Sequence, residues 1–149
     1  MPITCKLIEP GEVLALRSQV LRAGWPLDDC VYSNDHKPTT FHAGALDESD
    51  VVVGVVSFHV EPYPHEPIAP ALRFQGMAVA PGLQSKGIGS TLLSWALDHA
   101  RSLDEYELVW CAARSPALAF YKRLGFEEVG DEFTTEWGPH YLMFRSLEA

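Results

Sequence analysis

The pattern of apolar and polar positions along the chain predicts strands and helices in a mixed order. Runs rich in β-branched and other apolar residues predict strands at residues 3–8, 41–46, 51–60, 72–79, 107–112, 126–133 and 141–145. Helical spacing predicts a first helix over residues 12–23 and a third, short helix from Ser115-Pro116 to Gly125. The second helix follows Gly87 and has an apolar residue at every fourth position: Ile88, Leu92, Ala96, Ala100.

The predicted element order is β-α-β-β-β-α-β-α-β-β, without an internal repeat or a clear linker. Residues 61–70 contain four prolines and predict a surface loop, and residues 25–38 predict an irregular or partly helical connection. A crossover from Leu72 to Ala112 is where a parallel pair of strands is expected. We therefore predict a mixed α/β (α+β) fold with a mostly antiparallel central sheet flanked by helices, as a single domain over residues 1–149.

Charge and cysteine content narrow the functional classes. The chain has 20 acidic and 11 basic residues, a formal net charge of -9, which disfavours binding to nucleic acid and weakly favours cationic small molecules such as amines. Its three cysteines are widely spaced and form no metal-binding or disulfide pattern, so we expect no metal. The N-terminus lacks a signal-peptide pattern and no apolar run approaches the ~20 residues of a spanning helix, so we expect a cytoplasmic protein without membrane contact.

The stretch PGLQSKGIGSTLL, residues 81–93, is the strongest candidate for binding chemistry, and three phosphate-binding patterns compete for it. A Walker A loop fails because Ile88 stands where its lysine is required. A dinucleotide fingerprint starting at Gly87 fails because Leu92 replaces its third glycine and the chain lacks repeated strand-helix units. The third pattern, [Q/R]xxGx[G/A], is satisfied by Gln84, Gly87 and Gly89.

The physical chemistry of this turn suits an anion. The first amides of a helix lack partners within it, and the helix dipole places partial positive charge at that end. Glycines at 87 and 89 remove the Cβ atoms that would keep a pyrophosphate away from the amides, and Lys86 and Ser90 can add contacts. A tight turn that uses glycine for geometry alone is the competing explanation.

Two motifs resemble the GCN5-related N-acetyltransferase (GNAT) family. MAVAPGLQSKGIGSTLL, residues 77–93, is similar to the family's motif A, which cradles the pyrophosphate of acetyl-coenzyme A. ALAFYKRLGFEEVG, residues 117–130, resembles motif B with its FYxxxGF core. The motifs occur in the family's order, one strand apart. The segments LRSQVLRAG and WGPHYLMFRSL are similar to a small bacterial branch that includes ElaA-like proteins.

The resemblance implies a site and a splayed parallel pair of strands. Main-chain groups at the end of the strand before the loop would bond the pantetheine arm and polarise the thioester carbonyl. The implied cofactor-binding residues are Met77, Ala78, Val79, Gln84, Ser85, Lys86, Gly87, Ile88, Gly89 and Ser90. Tyr121 matches the tyrosine of FYxxxGF and would protonate the leaving thiolate. Arg114 and Ser115 stand where the family often has an asparagine, so that contact is not carried over.

The general base is not fixed by the sequence. Glu61 follows the third predicted strand and is the leading candidate, with His42, His59 and His140 as alternatives. We expect an N-acetyltransferase that uses acetyl-CoA as cosubstrate and acts on a primary amine of a small molecule or peptide. The alternative is an acyl-CoA-binding sensor or regulatory module that has lost turnover. Neither the acceptor nor homodimerisation, which is common in the family, is decided by the residues.

Overall fold

The structure, a computed structural model, describes residues 2–148. Its strands are β1 (Thr4–Ile8), β2 (Phe41–Leu46), β3 (Val52–Val60), β4 (Ala71–Val79), β5 (Leu108–Arg114), β6 (Glu127–Thr135) and β7 (Gly138–Ser146). The α-helices are α1 (Leu14–Leu16), α2 (Ile88–Ser102) and α3 (Leu118–Arg123). Short 3-10 helices span Pro10–Val13, Leu27–Cys30 and Ser115–Ala117, and a π-helical turn spans Arg17–Leu21.

The seven strands form a mixed sheet in the order β1-β2-β3-β4-β5-β7-β6. The pairs β1–β2, β2–β3, β5–β7 and β6–β7 are antiparallel. The pair β4–β5 is parallel and joins Ala71–Arg73 to Leu108–Trp110. The predicted α/β fold class, with its parallel pair at the crossover, is therefore confirmed. No helix within residues 2–148 is long and apolar enough to cross a membrane.

The chain divides into two compact units. Within the described residues, unit 1 comprises residues 2–59 and Phe74–Asp98, and unit 2 comprises Val60–Arg73 and residues 99–148. Strand β4 contributes its first three residues to unit 2 and the rest to unit 1. The assignment of residues 1–149 to one domain stays a prediction.

Helix α2 has the buried stripe that its sequence predicts. The side chains of Ile88, Leu92, Leu93, Ala96, Leu97 and Ala100 are all buried. In unit 1, a Cβ built on Gly54 of β3 would lie 3.3 Å from Leu92 Cδ2, so the strand packs closely on the helix. Because buried apolar side chains dominate its stability, this packing holds the N-terminus of α2 at a fixed place in unit 1.

Two elements differ most from the sequence prediction. The first helix, predicted as one regular helix over residues 12–23, is a composite of 3-10, α and π turns. The hairpin turn is shorter than the predicted EWGP loop, because β7 already begins at Gly138 and Pro139 pairs with Thr134 of β6. Strand β5 pairs with β7 only from His140 onward, so no donor is needed from Pro139 on that side.

Candidate active site

The loop between β4 and α2 is shaped by two left-handed residues. Ser85 has φ +64° and Gly87 has φ +85°, on either side of Lys86. A left-handed residue other than glycine costs about 1–2 kcal/mol, so the conformation at Ser85 indicates that the loop shape is maintained against strain. The Gln84 side chain closes the turn by donating from Nε2 to the Val79 carbonyl at 3.1 Å.

In the part of the chain that the structure describes, the first backbone donors of α2 have no acceptor within the helix. The amide of Thr91 donates to the Gly87 carbonyl, which is the first turn of the α2 ladder, so the amides of Ile88–Ser90 precede that ladder. A Cβ built on Gly87 meets no atom of residues 2–148 within 4 Å. Residues 80–93 include one cation, Lys86, and no acid, in a chain of net charge -9. These features fit a pyrophosphate, which needs donors, positive potential and room beside the backbone.

A surface cleft opens beside the same loop. It has a volume of about 410 Å³ and is lined by Ile3, Lys86, Gly87, Ile88 and Thr91. Its walls combine the loop backbone and a cationic side chain with the apolar Ile3. This combination can accept a ligand that carries phosphate at one end and a less polar group at the other.

The implied pantetheine-binding strand segment directly precedes this loop. Met77 and Val79 are half-buried and Ala78 is buried. Immediately before them Gly76 has φ +69°, a left-handed residue inside β4 that we call the Gly76 kink. Left-handed residues within strands are typical of bulges, which re-aim the backbone beside functional sites. The Val79 carbonyl already accepts from Gln84, whose side chain therefore holds the end of the strand to the loop.

Tyr121 lies on α3 in unit 2 and is buried, with 9% of its surface exposed. Its ring packs edge-on against Phe120 and Phe126, at centroid distances of 5.1 and 6.0 Å. Burial raises the pKa of the phenol, the nearby Cys111 thiol raises it further, and Arg114 opposes both. Tyr121 therefore keeps its proton throughout the neutral and mildly alkaline range, as a proton donor must.

Glu61 follows β3 and belongs to unit 2. One of its carboxylate oxygens, Oε2, accepts from Arg73 Nη1 at 3.1 Å, and its main-chain carbonyl accepts from Trp110 Nε1 at 2.9 Å. The Arg73 guanidinium also lies 4.8 Å from the centroid of the Trp110 ring. A base role would require Glu61 to take up a proton while paired with a cation. The alternatives His42, His59 and His140 are all buried.

Unit 1 contains a buried ionic network that the sequence interpretation missed. The guanidinium of Arg17, which is fully buried, binds both carboxylate oxygens of Asp35, at 2.6 and 2.9 Å. It also donates to the Cys30 carbonyl and to Ser57 Oγ, and it stacks 3.6 Å from the centroid of the Tyr32 ring. The sequence feature that could have indicated the burial of Arg17 is its helical position, four residues after Val13 on the apolar face.

The hydrogen bonds of this network fix the tautomer of His42. Its Nε2 lies 3.0 Å from the main-chain carbonyl of Asp35, which can only accept, so Nε2 carries a proton. Its Nδ1 lies 2.6 Å from Ser57 Oγ, which accepts from Arg17 and is free to donate its own proton to Nδ1. One arrangement of protons therefore satisfies all the partners. It also occupies both ring nitrogens of His42, which counts against a base role.

We predict that Asp35→Asn strongly destabilises the protein, because it leaves Arg17 as a buried, uncompensated charge. Such changes typically cost about 3–5 kcal/mol. Chemical denaturation at neutral pH measures the loss. The control is Glu128→Gln, which removes an ion pair with the exposed Lys122 and is expected to cost less than about 1 kcal/mol. Similar losses in the two variants would contradict the prediction.

The same pair predicts a pH dependence of stability. Burial alone raises the pKa of Asp35, but hydrogen bonds from Arg17 and the Tyr32 amide, and the charge of Arg17, outweigh it and hold the pKa below its ordinary value of 3.8. A carboxylate with a lowered pKa stabilises the folded state above pH 3.8, and this contribution disappears as the pH falls toward the lowered value. The difference in unfolding free energy between wild type and Asp35→Asn should therefore shrink below about pH 4.

Comparison with known proteins places the chain in a family. The family model described as "Acetyltransferase (GNAT) family" matches residues 12–126. The chain is 30% identical over 143 residues to the uncharacterized N-acetyltransferase YitI of Bacillus subtilis, covering 95% of each chain. Its fold is similar to that of Escherichia coli ElaA, with 19% identity, a TM-score of 0.76, and coverage of 97% of this chain and 99% of that one.

A further structure of similar fold is a chimera of the spermidine N-acetyltransferase SpeG from Vibrio cholerae and hSSAT. The identity is 18% and the TM-score is 0.75, with coverage of 99% of this chain and 96% of that one. The family model and the Bacillus relative together show that the chain belongs to the GNAT acetyltransferase family. It is an N-acyltransferase of the acyl-CoA-dependent class, and the resemblance inferred from its two motifs is confirmed.

Proposed function

We propose that the protein transfers the acetyl group of acetyl-CoA directly to a primary amine of a small molecule or peptide. The observation that carries this proposal is the loop from Gln84 to Ser90, with its unpaired amides, its left-handed turn and the open space at Gly87. When bound, acetyl-CoA supplies an activated acyl group on a thioester. The residues of the chain would hold the cofactor, polarise its thioester carbonyl and protonate the leaving thiolate.

Binding of the cofactor's pyrophosphate is assigned to the loop from Gln84 to Ser90. The amides of Ile88, Gly89 and Ser90, with Lys86 beside them, would bind the pyrophosphate through charge-assisted hydrogen bonds. Gln84 would hold the loop to β4, as its bond to the Val79 carbonyl indicates.

Polarisation of the thioester carbonyl is assigned to the main chain of Met77, Ala78 and Val79. Amide donors aimed at the place where negative charge develops lower the barrier most when they are fixed beforehand. The Gly76 kink and the buried Ala78 side chain provide such fixing within unit 1.

Proton transfer is assigned to two groups. Tyr121 would donate its phenolic proton to the leaving thiolate, for which its raised pKa keeps the proton available. The attacking amine must be neutral, and Glu61 is proposed to accept its proton directly or through a water. This assignment to Glu61 requires its ion pair with Arg73 to open or to rearrange.

The acceptor is proposed as an amine on two grounds. The net charge of -9 attracts cations at long range. A protein of similar fold, the SpeG chimera, is a spermidine N-acetyltransferase. The proposed acceptor class is therefore amines in general.

The experiment that tests this function combines binding with turnover. Calorimetry should show saturable binding of acetyl-CoA, and release of free coenzyme A should depend on added amine from a panel of polyamines, amino acids, aminoglycosides and basic peptides. Binding without turnover on every amine would favour the cofactor sensor, which the comparisons do not support. No binding at all would contradict both proposals.

A further inference from the structure

The buried network of unit 1 lies directly against the Gly76 kink. A Cβ built on Gly76 would lie 3.1 Å from Arg17 Nε and 3.0 Å from Tyr32 Cε2, closer than ordinary contact distances. The guanidinium and the phenol ring that stacks on it therefore cover the α-carbon of the kink. Any side chain at position 76 would displace one of them.

Arg17 is fixed from the side away from the kink. Its two terminal nitrogens bind Asp35, Ser57 and the Cys30 carbonyl, and these partners come from two separate segments of unit 1, the connection before β2 and strand β3. Its Nε, which faces Gly76, is buried and has no hydrogen-bond partner among residues 2–148. Arg17 therefore contacts the kink by packing, and the hydrogen bonds of its terminal nitrogens set the position of the guanidinium.

Asp35 anchors the same arrangement to the loop that carries Tyr32. Its Oδ2 accepts from the Tyr32 amide at 2.8 Å as well as from Arg17. The carboxylate therefore links the guanidinium to the backbone of the residue whose ring covers it. Loss of Asp35 would release both groups that pack on Gly76.

Stability alone does not account for a buried charge network. Burying an ion pair costs desolvation, and apolar residues of similar volume are often as stabilising or more so. A bidentate Arg–carboxylate pair also fixes the orientation of the guanidinium. Here this orientation packs the guanidinium of Arg17 against Gly76, the residue that precedes Met77–Val79.

We propose that Arg17, Asp35 and Tyr32 are positioning residues for acyl transfer. They hold the Gly76 kink so that the main-chain groups of Met77–Val79 keep the alignment that polarises the thioester carbonyl. This inference rests on the proposed function for its kinetic consequence. Its structural part concerns unit 1 alone and can be tested without any ligand.

The kinetic test uses Arg17→Lys and Tyr32→Leu. Arg17→Lys keeps the positive charge but cannot make the bidentate hydrogen bonds to Asp35. Tyr32 is half-exposed, so Tyr32→Leu carries less risk to folding. We expect kcat to fall about a hundredfold, as for misplaced reacting groups, while the dissociation constant of acetyl-CoA stays close to that of wild type because the Gln84–Ser90 loop is unchanged. The matched control is Arg101→Lys, which alters an arginine bonded to the Leu147 carbonyl in unit 2.

A ligand-free test uses hydrogen exchange of the backbone amides. In Arg17→Lys and Tyr32→Leu we expect the amides of residues 75–79 to exchange about tenfold faster, while β2 and α2 keep their protection. Gly76→Ala should behave in the same way. Gly54→Ala on β3 should not, because its Cβ would come no closer than 3.3 Å to its nearest neighbour, Leu92 Cδ2, and its φ is ordinary. Unchanged exchange at 75–79, or equal acceleration throughout unit 1, would overturn the proposal.

The two measurements separate this inference from the proposed function. If wild type shows no turnover but the variants loosen residues 75–79 selectively, the structural part of the inference stands and the assigned chemistry is wrong. If wild type is active and Arg17→Lys or Tyr32→Leu lowers kcat and cofactor affinity equally, the network supports the fold in general, and the positioning role is overturned.

Discussion

Gly87→Glu should severely weaken acetyl-CoA binding while the protein remains folded. The substitution places a carboxylate where Gly87 now leaves open space beside the amides of Ile88–Ser90. It repels the pyrophosphate and competes for the same donors. We expect affinity to fall about a hundredfold or more, which corresponds to losing two charge-assisted hydrogen bonds of about 1.5 kcal/mol each.

The matched control for this variant is Gly82→Glu. Gly82 has φ +83° against +85° at Gly87, and a Cβ at either position meets nothing within 4 Å. Both variants therefore carry the same backbone strain, about 1–2 kcal/mol, and the same added charge. Calorimetry should show near-normal affinity for Gly82→Glu and an affinity lower by about a hundredfold or more for Gly87→Glu. Equal affinities would remove the loop from the proposed cofactor site.

Tyr121→Phe should lower kcat by about a hundredfold or more, in the range found for loss of a general acid. The ring keeps its edge-on packing with Phe120 and Phe126, so the affinity for acetyl-CoA should stay the same. Because burial raises the pKa of the phenol, wild-type kcat should show no decline from Tyr121 ionisation at neutral or mildly alkaline pH.

The control for this variant is Tyr106→Phe. Tyr106 is also a tyrosine of unit 2 whose pKa is raised by burial and by the neighbouring Glu105, and it is not assigned to the site. It should retain wild-type kcat. Equal rates for Tyr121→Phe and wild type over the whole pH range would leave the phenol as a core aromatic side chain.

The sequence predicts the elements that carry a regular apolar pattern. The stripe of α2 repeats with helical spacing because one face of the helix packs into the core, and all its members are buried. Strand β2 was predicted at Phe41–Leu46, and the structure has those bounds. The glycine turn was also recognisable, because a left-handed backbone such as that at Gly87 favours glycine.

The Arg17 network could not be predicted because its partners are distant in sequence. Arg17 pairs with Asp35 across 18 residues and with Ser57 across 40. An arginine on a short helix is ordinarily exposed, and only the tertiary arrangement supplies the acceptors that allow its burial. The hairpin turn before Pro139 was also missed because the explanation is tertiary. Strand β5 does not pair with β7 at Pro139, so a proline without an amide proton can stand within β7 there.

The three cysteines bear on how turnover can be measured with a thiol-specific reagent. Cys30 and Cys111 are buried, and burial raises the pKa of the thiols of Cys111 and the half-buried Cys5. Since such reagents attack the thiolate, the folded chain should contribute little background to an assay of released coenzyme A. Unfolding would expose three thiols per chain. The same reagent, added before substrate, therefore reports whether a variant that shows no turnover is still folded.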